Sequence, residues 1–377
     1  MRLTMMPGAV GAVTLATALA LTGCSAGAGA AGGAGTQAAH STGDTAATTS
    51  TLGGTITAGG SSAQANAQAA WTAAFQAQAH GVTINYDKSQ GSGGGVVNWL
   101  NGSYDFAGTD AGLTPAQQKQ SQSMCGAGGA LNLPVYLSGV AVVYHLPGVT
   151  LRLTSATVAK IFTKKITRWN DPAIAADNPG QKLPDESITV VSRSDASGTT
   201  ANFTNYLHQV QPKLWPYPAS TTWPVKGTSG QQGGSGVVGT VLSGKGTIGY
   251  ADHSSIGQAA SAAIQVGSGS TFVGYSPRGA TRAFDTAARP APQTSGDLFT
   301  DIDYTKITSA NAYPIPLLSY DVVCTRLASP AQAKLTAAYL SFVASDTGQK
   351  VAAKNAGSAP LPASIQRQIA HSLASVK

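Results

Sequence analysis

Along the chain, apolar positions switch between strand-like alternation and helical spacing, and each switch predicts an element. "GTITAG" (54–59) has strand character, and "SSAQANAQAAWTAAFQAQA" (61–79) predicts a helix with Ser61 or Ser62 as cap. Gly81 is its expected stop, and "VTINY" (82–86) is the next strand. "GSGGG" (91–95) leads into "VVNWL", and "YDFAGTDAGLTPAQQKQ" (104–120) runs from a strand into a helix capped by Thr114, with Pro115 at its first position. The apolar stretch "LNLPVYLSGVAVVY" (131–144) predicts a buried strand. A helix over 154–162, "NDPAIAAD" (170–177) with Asp171 or Asn170 as cap, and a strand over 187–192 follow. "TTANFTNYLHQV" (199–210) then places Phe203, Tyr206, Leu207 and Val210 at helical spacing. Such alternation predicts an α/β architecture with mainly parallel sheets, whose ligands bind at the carboxyl ends of strands.

Four polar, glycine-containing junctions fall at those ends: 59–62, 91–95, 108–110 and 193–199. The last, within "VSRSDASGTT" (191–200), joins a strand to a helix start, where backbone N–H groups lack intrahelical partners and carry partial positive charge. Ser197 and Thr199 add hydroxyl donors, Gly198 permits close approach to the backbone, and Arg193 offers a planar fork for phosphate or carboxylate. A capped helix with a surface pair between Arg193 and Asp195 fits the same ten residues.

The N-terminal region sets the compartment. Residues 1–23 combine Arg2, an apolar run and "LTGC" (21–24), the pattern of a lipoprotein signal peptide that leaves Cys24 as the lipidated first residue. Residues 24–51 hold that cysteine and a Gly, Ala, Ser and Thr tether unable to bury a core, with an end-to-end reach of about 30 Å. The expected location is therefore the extracytoplasmic face of the cell membrane, anchored by lipid alone. In that oxidising compartment Cys125 and Cys324 are expected to form a disulfide.

Composition narrows the chemistry further. The net charge is +7, but charged residues make up 10% of the chain and the longest basic run is Lys164-Lys165, which argues against a nucleic-acid surface. Lys164, Lys165 and Arg168 fit a solvated helix end. The G-x-S-x-G match "GCSAG" (23–27) lies inside the lipobox and is a false hydrolase signal. His40, His80, His145, His208, His253 and His371 show no metal-binding spacing, and Glu186 is the sole glutamate. With no Walker A motif, energy for any transport must come from another subunit. An enzyme, a cofactor and a metal are not expected; a phosphatase is the weaker rival.

The chain is similar to the phosphate-binding subunit of the phosphate-specific ABC importer, a family of two-lobed periplasmic binding proteins. The residues that carry the likeness include "GSGGG" (91–95), "YDFAGTDAGLT" (104–114), "LPVYLSGVAVVYHLPG" (133–148) and "IFTKKITRWNDPAIAADNPGQKLP" (161–184). "SRSDASGTTANFTNYL" (192–207), "WPVKGTSG" (223–230) and "GTIGYAD" (246–252) complete it in the family's order. The resemblance implies a type II-like fold with lobe one at 52–138 plus 250–377, lobe two at 139–249, and a ligand between them. It implies phosphate ligands at Ser62, the Ala63 backbone, Ser92, Asp110, Arg193, Asp195, Ser197, Gly198 and Thr199. Asp195 would orient Arg193, Arg193 would face the anion, and Asp110 would accept a proton-bearing phosphate oxygen. Ala63 stands where relatives often carry Phe, and "KSQGSGGG" is one residue longer than the common form. The implied partners are inorganic phosphate and the permease subunits of an importer, with the protein a monomer; sulfate or molybdate is the alternative cargo.

Overall fold

The computed structural model describes residues 51–377. Its main sheet contains nine strands: β1 (Gly53–Gly60), β2 (Gly81–Asp87), β3 (Phe106–Thr109), β4 (Ala130–Tyr144), β5 (Thr189–Arg193), β6 (Ser229–Gln231), β7 (Thr247–Asp252), β8 (Ala260–Ser261) and β9 (Pro316–Cys324). The order across the sheet is β2-β1-β3-β9-β4-β7-β5-β6, with β8 beside β4. Helices pack around it: α1 (Ala65–Gln76), α2 (Gly91–Leu100), α3 (Pro115–Cys125), α4 (Ser155–Phe162), α5 (Pro172–Asp177), α6 (Gly198–Val210) and α7 (Gly233–Ser243). The C-terminal part adds α8 (Pro277–Ala287), α9 (Pro330–Ala344), α10 (Asp346–Ala356) and α11 (Ala363–Leu373).

β4 is the strand on which the molecule turns. All its positions are buried, and its pairing changes midway: Ala130 to Gly139 pair with β9, whereas Val140 to Tyr144 pair with β7. One continuous strand therefore serves two groups of strands, β1, β2, β3 and β9 on one side, β5, β6 and β7 on the other. Within each group the outer pairs are parallel, but β9 runs antiparallel to β3 and β4, and β4 antiparallel to β7. The sheet is thus mixed rather than mainly parallel. A strand buried on both faces reads as a continuous apolar run whatever its direction, so 131–144 carried no sign of its antiparallel neighbours.

Boundaries shift for local reasons. α1 begins at Ala65 because Ser61 Oγ accepts the N–H groups of Ala63 and Gln64 in a turn ahead of the helix, and Gly81 opens β2 rather than ending α1. Thr114 caps α3 with a capping box through Gln117, Thr154 caps α4, and Asp171 caps α5. "GSGGG" is the first turn of α2 itself. Glycine there costs helix stability, but a Cβ on Gly95 would fall 2.4 Å from the Gly60 Cα, so the bare backbone lets α2 rest on the end of β1.

Cys125, at the end of α3, is bonded to Cys324, at the end of β9, across a separation of 199 residues. The pair packs with Val96, Trp99, Ala107 and Val322 in a small cluster of its own. Lys164 and Arg168 lie at the surface, Lys164 Nζ on the Gly227 carbonyl and Arg168 paired with Asp185. Among the described residues no helix is long and apolar enough to cross a membrane. The segments 1–23 and 24–50, with Cys24, lie outside the described residues.

Candidate functional site

Three strand ends meet where the pairing of β4 changes. Ser61 and Ser62 follow the end of β1, Asp110 follows the end of β3, and Arg193 is the last residue of β5, each at a carboxyl terminus as an α/β sheet requires of a ligand site. β9, antiparallel to β3, brings Ser319 alongside, because Tyr320 pairs with Thr109. The register of β9 against β4 slips between Ser319, opposite Tyr136, and Tyr320, opposite Pro134. Pro134 has no N–H to give to the ladder, and a bulge is where a strand tolerates it.

Asp110 is 4% exposed and is surrounded by hydroxyl groups. Ser61 Oγ and Ser319 Oγ both donate to its Oδ1, the latter at 2.6 Å, and Thr199 Oγ1 donates to Oδ2 at 3.0 Å. Ser92, in the first turn of α2, uses its Oγ to accept the Asp110 N–H at 3.2 Å rather than to cap its helix. Burial pushes the Asp110 carboxyl up, against the Ser319, Ser61 and Thr199 hydrogen bonds and the charge of Arg193.

On the facing side, the Arg193 guanidinium is 3% exposed and grips Asp195 with two bonds, Nε to Oδ1 at 2.7 Å and Nη2 to Oδ2. The pair anticipated as a surface alternative is present, but buried. Its remaining N–H donors are left for another acceptor. Gly233 N–H also donates to Asp195 Oδ1, at 3.1 Å. Burial raises the Asp195 carboxyl, but the Arg193 hydrogen bonds and charge, with Gly233, outweigh it and hold the group below the usual carboxylate range. Ser197 caps α6 by accepting the Thr200 N–H at 3.1 Å, which leaves its own proton to donate. The first N–H groups of α6, at Gly198 and Thr199, have no intrahelical acceptor.

The two sides touch. Gly93 N–H donates to the Ala196 carbonyl at 2.8 Å, and Asn202 Nδ2 donates to the Asp110 carbonyl at 2.6 Å. Ser62 Oγ accepts the Gly234 N–H at the start of α7, at 3.2 Å. A Cβ on Gly198 would lie 2.6 Å from Ser92 Oγ and 2.7 Å from the Asp110 N, so glycine is what allows this approach. The Ala63 N–H is engaged by Ser61 Oγ at 3.1 Å. The structure therefore draws Ser62, Ser92, Asp110, Arg193, Asp195, Ser197, Gly198 and Thr199 into one cluster, with Ala63 at its edge. Ser61, Ser319 and Asn202 belong to it as well, and none of them was expected as a site residue. Ser319 and Asp321 are the polar interruptions in "PLLSYDVVC", a usable signal for a buried polar site. Ser61 was considered solely as a cap.

The cluster offers donors of three kinds, guanidinium, hydroxyl and backbone N–H, beside two carboxylates, of which Asp195 is taken up by Arg193 and Asp110 has no ion-pair partner among the described residues. Such a set suits a small oxyanion that also carries a proton.

Comparison with known proteins agrees with this architecture. Residues 45–347 match the model of the PBP superfamily domain. A protein of Mycobacterium tuberculosis named phosphate-binding protein PstS 2 is 34% identical over 316 residues, covering 82% of this chain and 84% of its own. Phosphate-binding protein PstS of Xylella fastidiosa is 33% identical over 308 residues, covering 79% of each chain. Among solved structures, a phosphate binding protein from Stenotrophomonas maltophilia superposes with a TM-score of 0.66 at 18% identity, over 84% of this chain and 93% of its own. The fold is accordingly the two-lobed one expected. The chain belongs to the PstS-type phosphate-binding proteins of the PBP superfamily.

Proposed function

We propose that this protein captures inorganic phosphate between its two lobes and hands it to the membrane subunits of an ABC importer, without a catalytic step. The observation that carries the reading is the pairing of unlike partners at one cleft: Arg193 and the start of α6 for the charged oxygens, Asp110 Oδ2 for the protonated one. Oδ1 already receives two hydroxyl donors, so Oδ2, with Thr199 alone, keeps room for a second donor of its own. One guanidinium held by Asp195 cannot neutralise a phosphate dianion, and the helix start supplies much of the remaining field. The names of the relatives, phosphate-binding proteins, agree with this chemistry.

The lobes are placed at 52–138 plus 250–377 and 139–249; the change of partner along β4 between Gly139 and Val140 supports the first limit, whereas β7 stays paired with Val140–Tyr144 as far as Asp252 and carries the second lobe past Gly249. The mature protein is a monomer held to the extracytoplasmic face of the membrane by lipid on Cys24, a reading supported by "LTGC". Calorimetric titration of the purified protein with phosphate, sulfate and molybdate tests the cargo. Tight binding of phosphate alone is expected, and equal binding of sulfate would replace the reading with that of a general oxyanion carrier. Membrane fractionation of Cys24→Ala tests the anchor: unchanged membrane association and gel mobility would remove it.

A further inference from the structure

Behind Asp110 lies a chain of buried polar side chains that reaches it through Ser319. Gln64, at the entry to α1, donates through Nε2 to Ser319 Oγ at 2.7 Å and to the Tyr320 carbonyl at 2.9 Å. Its Oε1 accepts from Gln68 Nε2 at 2.8 Å. Gln68 Nε2 also faces both carboxyl oxygens of Asp321 at 3.2 Å, and Gln68 Oε1 accepts from the Tyr339 hydroxyl at 2.9 Å. Gln64, Gln68, Ser319 and Asp321 are all buried.

The amide bonds in this chain have a fixed direction. A carbonyl can only accept, so the Tyr320 carbonyl requires that the Gln64 nitrogen, and not its oxygen, faces Ser319. Ser319 Oγ is then an acceptor for Gln64, and its one proton is shared between Asp110 Oδ1 at 2.6 Å and the Thr109 carbonyl at 3.2 Å, with Asp110 the nearer acceptor. Ser61 is constrained in the same way, because its oxygen accepts the backbone N–H groups of Ala63 and Gln64. Two hydroxyls whose oxygens are already engaged as acceptors thus converge on one carboxylate oxygen.

We propose that Gln64 and Ser319 act as positioning residues that hold Asp110 as a hydrogen-bond acceptor, and thereby set the preference of the cleft for a protonated over an unprotonated tetrahedral oxyanion. The inference deepens the phosphate-capture reading and rests on it. With Oδ1 saturated by donors, a proton on Asp110 can sit on Oδ2 alone, the atom that faces the cargo. An ionised Oδ2 accepts from a P–OH group and repels sulfate; a protonated Oδ2 donates to sulfate and loses that discrimination. Burial favours the protonated form, and the fixed donors oppose it. The titratable and charged groups that act on Asp110 are Arg193 from β5 and Tyr86 from β2, and Tyr86 in turn senses Asp321 from β9.

The test is the ratio of sulfate to phosphate dissociation constants between pH 5 and pH 9 for the full protein and for Ser319→Ala. A hydrogen bond to a charged group corresponds to about tenfold to hundredfold in an equilibrium constant. The pH at which the ratio collapses is therefore expected to rise by about one to two units in Ser319→Ala. Ser319→Cys, nearly the same shape with a weaker donor, should fall between. Gln64→Met, which frees Ser319 to rotate without touching Asp110, should move the profile in the same direction and carries the test if Ser319→Ala does not fold. Profiles of the variants that superimpose on that of the wild type overturn the chain, whereas a wild type with no preference at any pH overturns the phosphate reading itself.

Discussion

Asp110, buried, and Asp195, half-buried, lie on the two sides of the cleft, and their carboxyl groups are pushed in opposite directions. Three hydroxyl donors do not outweigh burial at Asp110, which is raised, whereas one guanidinium with a backbone N–H does so at Asp195, which is lowered. A neutral dipole answers part of a buried charge and a full opposite charge answers most of it. The difference divides the work of an anion site. The Asp195 side fixes a cation in place permanently; the Asp110 side keeps a carboxylate whose proton state is sensitive to what lies beside it.

The largest effect expected is at the ion pair. Arg193→Ala leaves Asp195 buried without its partner, and Asp195→Asn leaves Arg193 so; removal of one member of a buried pair costs about 3–5 kcal/mol. Denaturant titration should show both variants destabilised on that scale. Arg193→Ala should also weaken phosphate and sulfate alike, since a cation supplies charge without reading protons. Equal stability of wild type and Asp195→Asn would dissolve the contrast between the two aspartates.

Next is an effect on position alone. Gly198→Ala places a methyl group against Ser92 Oγ and the Asp110 backbone at 2.6 and 2.7 Å, and overpacking of this kind costs about 1–3 kcal/mol. Because the contact joins the two sides, the loss should appear as weaker binding of phosphate with an unchanged phosphate-to-sulfate ratio. A changed ratio would mean that Gly198 helps to read the proton.

Asp110→Asn should do the reverse. Ser61 and Ser319 both donate to Oδ1, so the amide places its oxygen there and turns its NH₂ toward the cargo. An NH₂ donates to a bare oxygen, and the preference for phosphate over sulfate should fall about tenfold to hundredfold. Calorimetry at one pH and salt concentration decides it, and an unchanged ratio would withdraw Asp110 as the reader.

Much of this division was legible in the chain. "SRSDASGTT" contains an arginine, its aspartate and a helix start within a few residues, so the local spacing was enough to place Arg193, Asp195, Ser197, Gly198 and Thr199 together. The Asp110 side is assembled from four distant segments, near residues 61, 92, 110 and 319, and local spacing cannot reveal such a meeting. Ser319 sits in an antiparallel strand whose place between β3 and β4 depends on sheet order, which apolar runs do not encode. Ser61 and Ser62 are adjacent, and which of them turns to Asp110 depends on the turn ahead of α1: Ser61 does, while Ser62 reaches Gly234.

The smallest effect expected is on the pH dependence of stability, and it has opposite signs at the two aspartates. Asp195 titrates lower in the folded than in the unfolded protein, so its stabilisation is present above the ordinary carboxylate value, near 3.9, and is lost as the pH falls through its folded value. Asp110 titrates higher when folded, so the native state binds the proton more firmly and stability declines as the pH rises from the ordinary value through the raised one. Hydroxyl donors offset part of that decline. Asp110→Asn removes a titrating group whose ionised form is unfavourable in the fold. In the absence of phosphate, its urea midpoint relative to wild type should therefore increase from pH 4 to pH 8. For Asp195→Asn the deficit against wild type should instead shrink as the pH falls toward 3. Parallel pH profiles for the two variants would show that both aspartates sense the same environment, and the assignment of one side to fixed charge and the other to proton reading would fail.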